Sequence, residues 1–325
     1  MEFEIPKEKN SGKIAEVTIG ATSEQGGSRS HTITIGGSSA LPFHYFEGEH
    51  PHRPALAMEV FDKPPGRMPA SLLEYYRDVI DKPGEMAKKC VEQYGAELIS
   101  VRLEGTHPEK GNRSADEAAE VVRQVLESVR VPLVISGHSH YAKINEVMKK
   151  ICEVAAGENC LINYVETDNY KTIAASCMAY GHTIVAQSPI DVNIAKQLNI
   201  LLTDMNFPSE KIVIDPLTGA LGYGLEYTYS IMERIRTDGL GGDKMLAFPM
   251  LVNPGYECSA VKESRVSEEE YPDWGDQELR SAYWEIATAM SLLAAGADLL
   301  VMYHPKAMEV VKKNIDELCS AKSGS

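Results

Sequence analysis

Acids, amides and hydroxyls recur near the ends of short apolar runs in this chain. "IVIDPLTG" (212–219) sets Asp215 directly before Pro216, and "CLINYVET" (160–167) carries Asn163, Glu166 and Thr167, with Asp168 next. "MLAFPMLVNP" (245–254) closes on Asn253, with Gly255 and Tyr256 beyond it, and "LISVRLEGT" (98–106) carries Glu104 and Thr106. Asn and Asp side chains present the donors and acceptors that read the edge of a polar heterocycle. Asp before Pro, and Asn before Pro-Gly, also start turns, so each has a second reading as loop chemistry. Gly219, Gly222 and Gly224 follow Asp215 without the spacing of a nucleotide-binding loop. No lysine stands at a run's end to form a Schiff base, and no Gly-x-Ser-x-Gly elbow occurs. His138 and His140, two apart, could share a divalent ion with Glu104, Glu166 or His304; the alternative is a pair of hydrogen-bonding loop histidines.

Such residues need a scaffold that gathers run ends in one place. The other runs are "ALAMEVFD" (55–62), "VPLVISGHS" (131–139), "HTIVAQSPI" (182–190) and "DLLVMYHP" (298–305). All eight are near strand length and lack strict polar alternation, as strands buried on both faces should. Segments of period 3.6 separate them. Ile144, Val147, Met148, Ile151 and Val154 form one predicted buried stripe; Leu279, Tyr283, Ile286, Met290 and Leu293 form another. Ser114 with Glu117 reads as a capping box, and Gly95, Gly157, Gly181 and Gly296 as helix ends. Eight strand–helix units over residues 55–319 predict an α/β fold, a TIM (β/α)8 barrel. The early Gly-x-Gly-x-x-Gly of a doubly wound sheet does not occur. In residues 1–54, "IAEVTIGA" and "SHTITIGG" alternate, predicting an N-terminal β-hairpin extension that caps the barrel's lower face or reaches a partner. Residues 63–80 and 255–274 read as long loops over the barrel mouth, and 320–325 as a disordered tail.

In a barrel, strand carboxyl ends face the ligand. That adds Glu59, Asp62, Ser136, Gln187, Ser188, Thr218 and His304 to the residues above, a polar and acidic mouth. The formal net charge is -15, which repels nucleic acid and anionic membrane surfaces. No apolar run spans a bilayer and the N-terminus has no signal-peptide core, so a cytoplasmic location is expected. The six cysteines form no Cys-x-x-Cys pair and read as free thiols, several of them in the core.

"LINYVETDN" followed by "IVIDPLTGALGYG" resembles the pterin-binding barrels, namely dihydropteroate synthases and methyltetrahydrofolate:corrinoid methyltransferases. Asn163 and Asp215 match their pterin-reading positions. "LVNPGYE" stands where the synthases carry Ser-Arg-Lys, and "ISGHSH" replaces an acid-bearing third strand. Over almost the whole chain, "ALAMEVFDKPP", "VRLEGTHP", "ISGHSHYAKINEV", "DPLTGALGYGLEYTYSIMERIR" and "YPDWGDQELRSAYWE" resemble the small, delta-type subunit of the corrinoid iron–sulfur protein of the acetyl-CoA decarbonylase/synthase system. That resemblance implies a heterodimer. Its large subunit holds the [4Fe-4S] cluster and the cobalamin (corrinoid), and the small subunit's barrel mouth faces the corrinoid. It implies methyl transfer from methyltetrahydrofolate, through a separate methyltransferase, to acetyl-CoA synthase/CO dehydrogenase in the reductive acetyl-CoA (Wood–Ljungdahl) pathway. The chain lacks both a cysteine cluster motif and the Asp-x-His-x-x-Gly of base-off corrinoid proteins, so a non-catalytic capping subunit is expected. The residues expected to meet cobalamin are Glu104, Thr106, Asn163, Thr167, Asp168, Asp215, Gly219, Asn253, Gly255 and Tyr256, the glycines letting a flat ligand approach the backbone. Two other readings stand beside this one: an active pterin-dependent methyltransferase, on Asn163 and Asp215, and a metal-dependent hydrolase, on His138 and His140.

Overall fold

The computed structural model describes residues 6–320. Strands β1 (Glu16–Ile19) and β2 (Ile33–Gly36) form an antiparallel hairpin with Ile19 opposite Ile33. Eight parallel strands follow: β3 (Ala55–Phe61), β4 (Leu98–Arg102), β5 (Leu133–Ser136), β6 (Leu161–Val165), β7 (Thr183–Gln187), β8 (Ile212–Asp215), β9 (Leu251–Val252) and β10 (Leu299–Met302). Their order is β8-β7-β6-β5-β4-β3-β10-β9, and an isolated bridge between Ile214 and Met250 brings the two ends together. This is the expected TIM barrel with an N-terminal hairpin. Strand β9 is much shorter than its run at 245–254. Pro249 and Pro254 bracket it, and neither has an N–H to give to a ladder.

The barrel interior follows a period of two. Ala57, Leu98, Val134, Leu161, Val185, Val213, Leu251, Leu299 and Val301 belong to one apolar cluster. Two residues further along, the same strand faces present Glu59, Ser100, Ser136, Asn163, Gln187, Asp215, Asn253 and Tyr303. The lower barrel is therefore dry and its upper layer polar. Val17, Ile19 and Ile35 of the hairpin join the lower cluster and plug that end. Arg29, 4% exposed, pins the hairpin by donating to the Val129 (2.7 Å) and Leu126 (3.0 Å) carbonyls and to Glu158 (2.8 Å). Capping the lower face is thus the hairpin's observed place.

The helix Tyr141–Val154 buries Ile144, Val147, Met148 and Ile151, as its period predicts, with Val154 half-buried. Ser114 and Glu117 form the predicted capping box on the helix Ala115–Ser128. Gly181 closes the helix Tyr170–Tyr180 with φ 82°, a left-handed cap. The helix Gln277–Ala294 departs from expectation: it buries Ala282, Glu285, Thr288, Ala289, Leu292 and Leu293, and leaves Leu279 and Tyr283 exposed. The reason is polar. The Glu285 carboxylate accepts the backbone N–H groups of Tyr303 (2.7 Å) and His304 (3.1 Å), and small neighbours let the helix approach closely enough for that. Burial pushes its pKa up to about 8.

Residues 255–274, expected as a loop, contain the short helices Pro254–Ala260 and Lys262–Arg265, and residues 63–80 contain the short helix Ala70–Glu74. Ser320 belongs to the last helix, Pro305–Ser320, and 321–325 lie outside the described residues. All six cysteines are free thiols and five are buried. Among the described residues no helix is long and apolar enough to cross a membrane.

Candidate functional site

A charged cluster lies inside the upper barrel. Glu59 accepts from Arg102 Nε (2.6 Å), Tyr303 Oη (2.5 Å) and Ser100 Oγ (2.7 Å). Glu59 and Arg102 are both buried, so this is a desolvated ion pair whose carboxylate takes three donors. The guanidinium of Arg102 lies over the Tyr256 ring, 4.0 Å from its centroid. Sequence reading missed Arg102, although an arginine inside the apolar run "LISVRLEG" signals a partnered charge.

The predicted residues Asn163, Asp215, Asn253 and Tyr256 converge beside Arg102, together with Tyr164, Gln187, Leu217, Thr218 and Glu257. The cavity they surround is only about 20 Å³. Asp215 Oδ1 accepts from Leu217 N (2.8 Å), and Oδ2 from Asn253 Nδ2 (3.1 Å). Burial raises the Asp215 pKa to about 7, against the pull of the Leu217 N–H. Thr218 Oγ1 accepts Asn253 N (2.8 Å), tying the ends of β8 and β9 together. Gln187 Oε1 and Asn253 Oδ1 are buried without a partner.

Tyr164 carries φ 84° where the β6–β7 register shifts, a strained position for a bulky residue. Two asparagines hold it: Asn163 Oδ1 accepts Tyr164 N (2.7 Å) and Asn169 Nδ2 donates to Tyr164 O (2.9 Å). Asn163 therefore spends its carbonyl on local structure. Strain of this kind has no signature in the run "CLINYVET".

Above this floor lies an open cleft of about 640 Å³ between residues 63–67, Glu104 to Lys110, and Tyr256 to Ala260. Glu104 pairs with Lys110, and Asp62, whose pKa burial raises to about 6, accepts Gly105 N (2.8 Å). Thr106 is buried: it donates to Leu103 O (2.7 Å), which leaves its oxygen to accept from His138 Nε2 (2.9 Å). His138 Nδ1 accepts His140 N (3.2 Å), so both ring nitrogens are occupied and the imidazole is neutral, its pKa lowered to about 4 by burial. Thr167 and Asp168 are exposed on the turn after β6. His304 contacts Tyr75 (5.2 Å between rings), and its backbone N–H is bound by Glu285. Gly219 and Gly255 serve internal packing: a Cβ on Gly219 would stand 2.5 Å from the Gly224 backbone, and one on Gly255 2.6 Å from Tyr303. Among the described residues no three His, Cys, Asp or Glu groups are arranged to hold a metal ion.

The solved structures most like this fold include dihydropteroate synthases. That of Xanthomonas albilineans, in complex with indole-2-carboxylic acid and 6-chloroguanine, aligns with a TM-score of 0.55 at 15% identity over 84% of this chain and 94% of that one. The Stenotrophomonas maltophilia enzyme, with active-site-bound imidazole, aligns with a TM-score of 0.55 at 16% identity over 88% and 100%. At that identity the likeness defines a fold class, a TIM barrel of the dihydropteroate synthase shape. Sequence comparison is more specific. A family model described as CO dehydrogenase/acetyl-CoA synthase delta subunit matches residues 16–313. The acetyl-CoA decarbonylase/synthase complex subunit delta of Archaeoglobus fulgidus is 40% identical over 99% of this chain and 72% of its own length. Its counterpart in Methanocaldococcus jannaschii is 35% identical over 96% and 76%. The chain belongs to the CO dehydrogenase/acetyl-CoA synthase delta subunit family.

Proposed function

We propose that this chain is the small subunit of a heterodimeric corrinoid iron–sulfur methyl carrier, and that its barrel mouth covers the corrinoid held by a larger subunit. Its relatives carry the name of a complex subunit, which supports a role inside an assembly. The single observation that carries the capping role is the contrast between floor and mouth. The floor cavity of about 20 Å³ admits about one water. Sites that enclose a small molecule hold ~300–1,000 Å³. Above it, the cleft of about 640 Å³ is within that range, and it opens to solvent between charged side chains and Pro64 and Pro65. The volume that can receive a ligand therefore lies at the mouth, where a cofactor held by a partner can reach it, and not in the barrel interior.

The residues suit a corrin. Its rim carries neutral amides, and the mouth meets them with Glu104, Lys110, Tyr256 and Ser259 along the cleft. The unpartnered Gln187 and Asn253 carbonyls lie below the Arg102–Tyr256 pair, buried out of a corrin's reach, so the contacts to it fall on the cleft residues. When bound, a corrinoid supplies a cobalt centre that accepts and gives up a methyl group. This chain's part is to exclude water and hold the macrocycle's orientation. Polar contacts suit a cap that must open again. The [4Fe-4S] cluster, the methyltetrahydrofolate methyltransferase and the acetyl-CoA synthase/CO dehydrogenase belong to partner proteins in this reading. The setting is the cytoplasm, where the six thiols stay reduced.

Co-expression with the large subunit tests this. The expected result is a stable one-to-one complex whose corrinoid absorption follows both chains through gel filtration. Separate elution of this chain from a folded, corrinoid-loaded partner overturns the reading. The pterin alternative rests on Asn163 and Asp215, but Arg102, Tyr256 and Tyr164 fill the space beside them. The metal alternative loses His138, whose two nitrogens are already engaged.

A further inference from the structure

Among the described residues, five of the eleven large apolar side chains left exposed fall on two neighbouring elements at one side of the mouth. Leu221, Tyr223 and Tyr227 belong to the loop after β8 and the first turn of the helix Leu225–Leu240; Leu279 and Tyr283 lie on the helix Gln277–Ala294. Tyr223, Tyr227 and Tyr283 are 51%, 65% and 62% exposed. The two elements are locked together, since Trp284 Nε1 donates to Leu221 O (2.8 Å) and Leu221 N donates to Thr288 Oγ1 (3.1 Å). The patch is therefore a rigid platform. Scattered apolar residues need no explanation, but a cluster of tyrosines on a fixed frame is what interface centres are made of.

Its border is acidic. Residues 262–276 hold six carboxylates against two cations, and Tyr223 Oη donates to one of them, Glu263 (3.0 Å). Among the described residues Glu226, Glu269, Glu270 and Asp273 make no ion pair. A second copy of this chain would set that border against itself, at a net charge of -15 per copy. Nucleic acid and anionic membrane are repelled in the same way.

We infer that this tyrosine platform is the docking surface for a protein partner whose facing surface is apolar at its centre and basic at its border. Resting on the function proposed above, that partner is the corrinoid-bearing subunit, which docks here beside the mouth that it presents its corrinoid to.

The test uses the full chain and the purified large subunit, with binding followed by calorimetry. The side chains of Tyr223 and Tyr227 are mostly in solvent, so Tyr223→Ser/Tyr227→Ser keeps the fold, which circular dichroism verifies. Its Kd is expected to rise at least tenfold. Glu269→Lys/Glu270→Lys is expected to slow association and to flatten the salt dependence that the wild type shows. If the wild type binds and the tyrosine variant binds equally tightly, the docking surface is wrong while the proposed function stands. If the wild type itself does not bind, the proposed function fails. If light scattering shows the wild type self-associating through the patch and the tyrosine variant monomeric, the occupant is a second copy and the inference is overturned.

Discussion

The guanidinium of Arg102 lies 4.0 Å over the ring of Tyr256, in the place where a ligand would otherwise reach the floor of the barrel. Glu59 holds the guanidinium from below (2.6 Å), and the short helix Pro254–Ala260 holds the tyrosine from above. This stacked pair divides a polar barrel interior from an open mouth.

The first consequence concerns folates. A filled floor has no room for a pterin ring, so the isolated wild-type chain should show no binding of methyltetrahydrofolate up to about 1 mM in calorimetry, weaker than about -4 kcal/mol. Binding in the micromolar range would revive the pterin-dependent methyltransferase.

The buried ion pair should behave as a unit. Glu59→Gln leaves Arg102 charged in a dry site, and the expected cost is about 3–5 kcal/mol in denaturant unfolding. Glu59→Leu with Arg102→Met and Tyr303→Phe removes both charges and the tyrosine hydroxyl that Glu59 would leave without an acceptor, and should recover much of that loss. A Glu59→Leu/Arg102→Met variant as unstable as the sum of Glu59→Leu alone and Arg102→Met alone contradicts the coupling.

Asp215 should report on pH. Its carboxyl holds a proton in the fold up to about pH 7, whereas its ordinary value is 3.8. Its folded pKa is raised, so the stability it contributes is full below pH 3.8 and falls as pH climbs toward about 7. Asp215→Asn removes that dependence. Its Oδ1 still accepts Leu217 N, and a flipped Asn253 amide can meet its NH2 group. Thermal melts should therefore favour the variant over wild type by a larger margin at pH 8 than at pH 5. A difference in Tm that stays constant between those pH values would show that burial does not hold the proton on Asp215.

Much of this was legible in the residues, and the gaps have physical causes. Strand and helix periods located the barrel because each strand is covered on both faces and each helix on one. Asn163, Asp215 and Asn253 were readable as strand-end residues, since a period of two carries the inner face from apolar to polar at Leu161, Val213 and Leu251. Arg102 was missed because its partner, Glu59, is 43 residues away and only the barrel register brings them together. The stripe predicted for Gln277–Ala294 holds at Leu293, with Ile286 and Met290 packed against the core, and fails at Leu279 and Tyr283, because apolar periodicity cannot see a buried carboxylate binding two backbone N–H groups. Gly219 and Gly255 looked like openings for a ligand, yet the close neighbour in each case is the protein itself.

The central claim, that the mouth covers a partner's corrinoid, is tested most directly by one comparison: the Kd of this chain for the large subunit with and without its corrinoid. If the mouth contacts the macrocycle, the loaded form should bind at least tenfold more tightly, about 1.4 kcal/mol or more. Equal affinity for the two forms would mean that the mouth makes no favourable contact with the corrinoid, and would contradict the account.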